Sequence, residues 1–258
     1  MTTTLIVLGH PNRQSFTGAW ADATARAASD AGHDVLWSDL YGMGFDAAER
    51  AEHYSDQGKS AGFDPLKAQE HAAKGQRLPA DVAAEVAKIE QADRIIFHFP
   101  IWWFGPPAIV KGWCDRALVH GALHTVDARF DRGRCVGKSA LFCVSTGANS
   151  EECGPDGKEG DLKLQLWPLA YTLRYLGFSV LEPRTVHGVH GYFVGDESSA
   201  LEDRLSGILG QQKDVIAGYD SLPRMRFNAD DDFDDLGRLR HDSESYSAFI
   251  RHPDACDR

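Results

Sequence analysis

The sequence predicts an α/β fold in which helices flank a doubly wound, five-stranded parallel sheet. Three observations carry that expectation. Short apolar runs recur along the chain, as strands buried on both faces require. Segments with helical spacing alternate with them. Loops rich in glycine, proline, serine and aromatic residues follow three of the runs, on the sheet edge where open parallel sheets bind ligands.

The elements follow in order. Leu5-Ile6-Val7-Leu8 reads as a central strand ending at Gly9-His10. Pro11 to Gln14 form a loop, and Ser15 caps an alanine-rich helix that Gly32 stops near Ala31. Val35-Leu36-Trp37 closes a βαβ unit at Ser38-Asp39-Leu40-Tyr41. Residues 42–79 lack periodicity and are long for a plain connection, so a functional or interface loop is expected there. An amphipathic helix then runs to Gln91, with Val82, Val86 and Ile89 on one face. The β-branched and aromatic segment Arg94 to Phe99 forms the third strand, which Pro100 ends. Pro106-Pro107 opens a helix from Ala108 to Leu118. Ala140 to Val144 is the fourth strand, Leu162 to Tyr175 a helix, Val180-Leu181 the fifth strand and Leu201 to Ile216 a last helix. A first loop suited to phosphate points to the flavodoxin-like strand order 2-1-3-4-5. One domain over 1–218 is expected, with an irregular, acidic extension over 219–258 packed on the domain or on a dimer partner.

Composition narrows the function. The net charge of -11 argues against general nucleic-acid binding, since no surplus of Lys and Arg is left to neutralise phosphates. No stretch approaches the length of a membrane span, and Met1-Thr2-Thr3-Thr4 lacks the features of a secretion signal. Five cysteines without metal-type spacing fit reduced thiols, so a cytoplasmic location is expected and no metal site.

Three loops carry the chemistry. His10 through Ser15, Phe16 and Thr17 deliver hydroxyls and backbone N–H groups to a helix N-terminus, a setting for phosphate. The run Phe99-Pro100-Ile101-Trp102-Trp103-Phe104-Gly105-Pro106-Pro107 puts three consecutive aromatics in a short loop. Those rings either plug the strand–helix junction or form a face for a flat heterocycle. Ser145-Thr146-Gly147-Ala148 offers amides and a hydroxyl to the polar edge of such a ring. Together the three describe a flavin-nucleotide pocket.

These segments, with Ser38-Asp39-Leu40-Tyr41, Ala108-Ile109-Val110-Lys111-Gly112-Trp113, Gly160-Asp161, Leu166-Trp167-Pro168 and Gly177 to Pro183, resemble the NAD(P)H:quinone oxidoreductase (DT-diaphorase) family from the first strand to about Val186. The resemblance implies noncovalent FAD, NADH or NADPH as donor, a quinone acceptor, ping-pong hydride transfer through flavin N5, and a homodimer with active sites at the interface. Residues matching His10, Ser15, Phe16, Thr17 and Ala19 would hold the FAD phosphates. Those matching Pro100, Ile101, Trp102, Trp103 and Phe104 would line the ring, with Thr146, Gly147 and Ala148 at its polar edge. Asp115 matches a carboxylate that reaches the partner's cofactor, and Asp39 either does likewise or serves a turn. Trp103, Phe104 and Gly147 become catalytic by stabilising charge on the reduced ring.

The substrate half departs from the family. Cys153 and Glu159 stand where a Tyr and a His are usual, and His124 and Val126 replace two pocket aromatics. Glu159 can manage protons but cannot stabilise an anion as an imidazolium does. Two other expectations follow from the same resemblance: reduction of azo or nitroaromatic compounds, or service as a flavin-binding ancillary subunit of a transport system with little turnover.

Overall fold

The structure, a computed structural model, describes residues 1–54 and 62–253. Its sheet runs in the order β2-β1-β3-β4-β5, with every named strand pair parallel. The elements are β1 (Thr3–Leu8), α1 (Phe16–Asp30), β2 (Asp34–Asp39), α2 (Pro65–Lys74), α3 (Ala80–Gln91), β3 (Arg94–Pro100) and α4 (Ala108–Ala117). They continue with β4 (Ser139–Ser145), α5 (Leu162–Tyr175), β5 (Ser179–Val180), β6 (Arg184–Val186), α6 (Asp196–Gly210) and α7 (Gln212–Ala217).

Strand periodicity divides the core into two. Leu5, Val7, Phe97, Phe99 and Phe142 pack on the α3, α4 and α5 side, around the fully buried Trp113. Ile6, Leu8, Ile96, Leu141 and Cys143 face the other way, against Trp20 of α1 and Val215 and Ile216 of α7. Burial on both faces explains why the central strands read as unbroken apolar runs.

Three parts of the fold differ from the sequence expectation. The fifth strand position holds two short strands: β5 pairs with Ser139 and Ala140, and β6 with Cys143 to Ser145. Leu181-Glu182-Pro183 lies between them, where a proline cannot donate to the ladder. The unperiodic stretch 42–79, part of which lies outside the described residues, contains α2, capped by Asp64 with Pro65 in its first turn. Its buried face is Ala68, Gln69 and Ala72, too small and polar to register as an apolar stripe. The last helix starts earlier than expected and is broken at Gln211 into α6 and α7.

The C-terminal segment is irregular, and it covers an edge. Glu182 N donates to Pro223 O at 2.8 Å and Met225 N to Val180 O at 2.9 Å, so residues beyond α7 pair with β5. The acidic run folds into self-capped turns: Asp232 accepts from Ala229 N at 2.9 Å, and Asp234 accepts from Arg238 N at 2.9 Å. Among the described residues no helix is long and apolar enough to cross a membrane.

Candidate active site

The carboxyl ends of β1, β3 and β4 lie side by side in the sheet, which brings the three loops together. After β1, Gly9 N donates to His98 O at 2.9 Å, and the chain turns back on itself. His10 Nδ1 sits 3.0 Å from Asn12 N, so the imidazole shapes the loop. Ser15 caps α1 by accepting from Gly18 N at 3.2 Å. A Cβ added to Gly18 would lie 2.1 Å from Arg13 O, so only glycine lets the loop cross the helix this closely. The N–H groups of Phe16 and Thr17 have no acceptor among the described residues, at the positive end of a 15-residue helix. Two details refine the expected contacts. The Thr17 hydroxyl lies 3.3 Å from Ser145 Oγ, tying α1 to β4, and Ala19 N donates to Ser15 O at 2.9 Å inside the helix. Thr17 therefore offers an anion its amide, and Ala19 only its methyl.

The second loop is a closed two-residue turn. Trp102 N donates to Gly105 O at 2.9 Å and Gly105 N to Trp102 O at 3.2 Å. Trp103 (φ 49°) and Phe104 (φ 62°) between them are both left-handed. Such turns normally carry Asn-Gly, because a Cβ is costly there. The rings do not plug the junction: Trp103 is 92% exposed and Phe104 56%, while Phe99, Val110 and Trp113 fill the space beneath. Both residues keep an unpaired N–H. Pro100 is buried in β3 and Ile101 N is spent on Ser145 O at 2.8 Å, so these two contribute surface but no donor.

The third loop is braced from behind. Thr146 N donates to Val186 O, Val189 N to Thr146 O and Gly188 N to Ala148 O, each at 2.9 Å. The His187 to His190 segment thus backs the clamp. Ala148 N turns inward to Thr146 Oγ1 at 3.3 Å, leaving the exposed Gly147 with a free N–H.

A cavity of about 250 Å³ joins the second and third loops, bounded by Ile101, Trp103 and Phe104 on one side and Thr146, Cys153 and Glu159 on the other. Leu162 and Gln165 of α5 complete its wall. Burial, with the Glu159 and Glu152 carboxylates, raises the Cys153 thiol above its ordinary value, against a hydrogen bond from Thr146. That is the opposite of what a redox-active thiol requires. Glu159 is tied at its backbone, its N–H donating to Glu152 O at 3.0 Å. The sequence reading passed over Gln165, whose Nε2 donates to Glu159 O at 2.6 Å. Its one signal is a polar residue beside the buried Leu162, Leu166 and Trp167 of α5.

Asp115 lies apart from the phosphate loop. It is exposed at the end of α4, paired with Lys111 at 2.5 Å, and lines an apolar groove of about 1010 Å³ with Phe104, His124, Trp167 and Phe249. His124 lies with its Nδ1 3.4 Å from that of His120, and burial and the His120 charge lower its pKa. Val126 is 67% exposed. Asp39 serves a turn, accepting from Gly42 N at 3.0 Å. Free amides at the α1 N-terminus, two open rings and a further amide at Gly147 fit a flavin nucleotide.

Comparison with known proteins finds relatives by sequence and by structure. The Flavodoxin_2 family model, described as a flavodoxin-like fold, matches residues 2–208. NAD(P)H dehydrogenase [quinone] 1 of Rattus norvegicus is 38% identical over 187 residues, spanning 72% of this chain and 68% of that protein. Ribosyldihydronicotinamide dehydrogenase [quinone] of Mus musculus is 35% identical over 187 residues, 72% of this chain and 81% of its own. Among solved structures, a candidate quinone reductase from Klebsiella pneumoniae superposes with a TM-score of 0.79 at 28% identity, covering 93% of this chain and 94% of that one.

Proposed function

Because the chain belongs to the flavodoxin-like NAD(P)H:quinone oxidoreductase family, we propose that it is an FAD-dependent enzyme carrying electrons from NADH or NADPH to quinones. The observation that carries this reading is the pair of unpaired N–H groups at Trp103 and Phe104 on one cavity, with a further free N–H at Gly147, next in the chain to the lining residue Thr146, and the open α1 N-terminus on the neighbouring strand. The chemistry a bound flavin supplies there is two-electron transfer, in two separated half-reactions.

The chain's own residues hold, orient and neutralise. Phe16 and Thr17 amides, with the α1 dipole, hold phosphate. Trp103 and Phe104 present flat faces, which stack a ring and keep water from one side of it. Their amides and that of Gly147 are fixed in place before any charge arrives, so reorganisation costs little. Glu159 is the one carboxylic side chain among the cavity's lining residues and the group there suited to passing a proton. Donor and acceptor use the same platform in turn, so the order is ping-pong. Asp115, displaced into the neighbouring groove, suits contact with a second copy of the chain, and we assign the functional unit as a homodimer on that basis.

The test is spectroscopic. Purified protein is expected to be yellow, to release FAD on denaturation, to bleach with NADPH without oxygen and to recolour with menadione. Release of FMN alone overturns the dinucleotide assignment; a colour untouched by NADPH and NADH overturns the enzyme.

A further inference from the structure

Gln165 holds a buried acceptor that the chain itself leaves unused. Its amide orientation is fixed: Nε2 donates to Glu159 O at 2.6 Å and to Gly160 O at 3.3 Å. Turning the amide over would set Oε1 against those two carbonyl oxygens, so the hydrogen-bond network determines which end is which. Oε1 is then buried with no partner. A carbonyl in that position forfeits a hydrogen bond that a ligand donor can restore.

The surroundings say what kind of ligand. Gln165 lines the cavity at the aromatic turn together with Glu159, while Ile101 and Leu162 supply apolar wall, and it also borders the larger groove beside it. The Cys153 thiol is engaged with Thr146. The α5 side of this cavity therefore presents acceptors, whereas a plain quinone presents only acceptors of its own. We infer that Gln165 Oε1 receives an O–H or N–H proton from the bound electron acceptor, so that the site selects quinone-type rings carrying a hydrogen-bond donor. This rests on the quinone-reductase reading and adds the substrate class to it.

A matched pair of ligands tests it: 2-amino-1,4-naphthoquinone, which carries the donor, and 2-methyl-1,4-naphthoquinone, which has nearly the same shape without it. Dissociation constants come from quenching of tryptophan fluorescence in the flavin-loaded protein, and turnover with NADPH is measured alongside. The wild type is expected to bind the amino compound about tenfold more tightly. Gln165→Met, of similar length but lacking the strong acceptor, is expected to lose that preference. Loosening of the Glu159–Gly160 loop weakens both ligands alike and leaves the ratio unchanged, so the ratio separates recognition from scaffolding. Equal binding of the two quinones by the wild type, or an undiminished preference in Gln165→Met, overturns the inference. If both quinones are reduced but bound equally, the donor preference falls and the enzyme stands. If the preference is present but neither is reduced, the enzyme reading falls and the donor site stands.

Discussion

At Trp103 and Phe104 the backbone is held left-handed by a closed turn, although neither residue gains burial from it. Each non-glycine residue in that region costs about 1–2 kcal/mol. Strain of this kind, with the side chains displayed outward, marks a place where stability is given up for a surface. The aromatic run was legible in the sequence as a short loop at a strand end, because proline bounds it on both sides. Its strain was not, since nothing in Trp-Trp-Phe-Gly announces a turn that usually carries Asn-Gly. The expected consequence is a trade. Trp103→Gly should raise the stability of the flavin-free protein by about 1 kcal/mol, because glycine adopts the turn freely and the lost ring is 92% exposed. The same substitution should weaken flavin retention, with a stacking face gone. Trp103→Ala keeps most of the strain and should weaken retention without the gain. Melting of the stripped proteins and flavin titration read the two effects separately; a flavin-free Trp103→Gly protein no more stable than wild type would show that the turn stores no strain.

At the scale of elements, α1 shows how packing overrules propensity. Glycine in a helix costs about 1 kcal/mol against alanine, so propensity alone favours Gly18→Ala. The Arg13 carbonyl, 2.1 Å from where the new Cβ would sit, reverses the sign, because backbone has to move. Gly18→Ala is expected to lower both the melting temperature and flavin retention, since the displaced loop carries the Phe16 and Thr17 amides with it. A higher melting temperature with flavin still bound would mean that the loop crosses α1 less tightly. The start of α1 was readable because Ser15 is a strong cap, and β1, β3 and β4 because burial on both faces leaves apolar runs. The helix α2 hid behind a small, polar buried face, and β6 behind its brevity and the preceding Pro183. The missing strand mattered most, since Val186 and Val189 brace the Thr146 clamp. Gln165 stayed hidden for a related reason: spacing shows which face a residue occupies, not whether its amide finds partners.

For the molecule as a whole, the titrating groups define a stability window. His98 lies fully buried in the sheet core, edge-on to Trp20 at 5.4 Å with neither ring nitrogen paired, and burial lowers its pKa from 6.5 to about 3. Burial also lowers His33, His124 and His187. The sign follows from proton counting: between pH 6.5 and about 3 the unfolded chain binds a proton at this histidine that the folded protein refuses. Stability present above pH 6.5 is therefore lost as pH falls through that window. On the alkaline side, burial pushes Cys114 and Cys143 up to about 12 and raises Tyr219, so stability declines as pH climbs above the ordinary thiol range. A plateau near neutrality results. His98 alone supplies a slope of about 1.4 kcal/mol per pH unit once the unfolded histidine is mostly charged. Replacing it by leucine removes two unpaired buried nitrogens along with the titration, which keeps the cost at pH 7 small. Urea midpoints of wild type and His98→Leu at pH 7.5, 6 and 5 test the assignment. The two curves are expected to diverge as pH drops, with the variant losing less stability. Parallel curves would place the acid sensitivity in the partly exposed histidines and the paired carboxylates, and would mean that the imidazole beside Trp20 takes up its proton without opening the core.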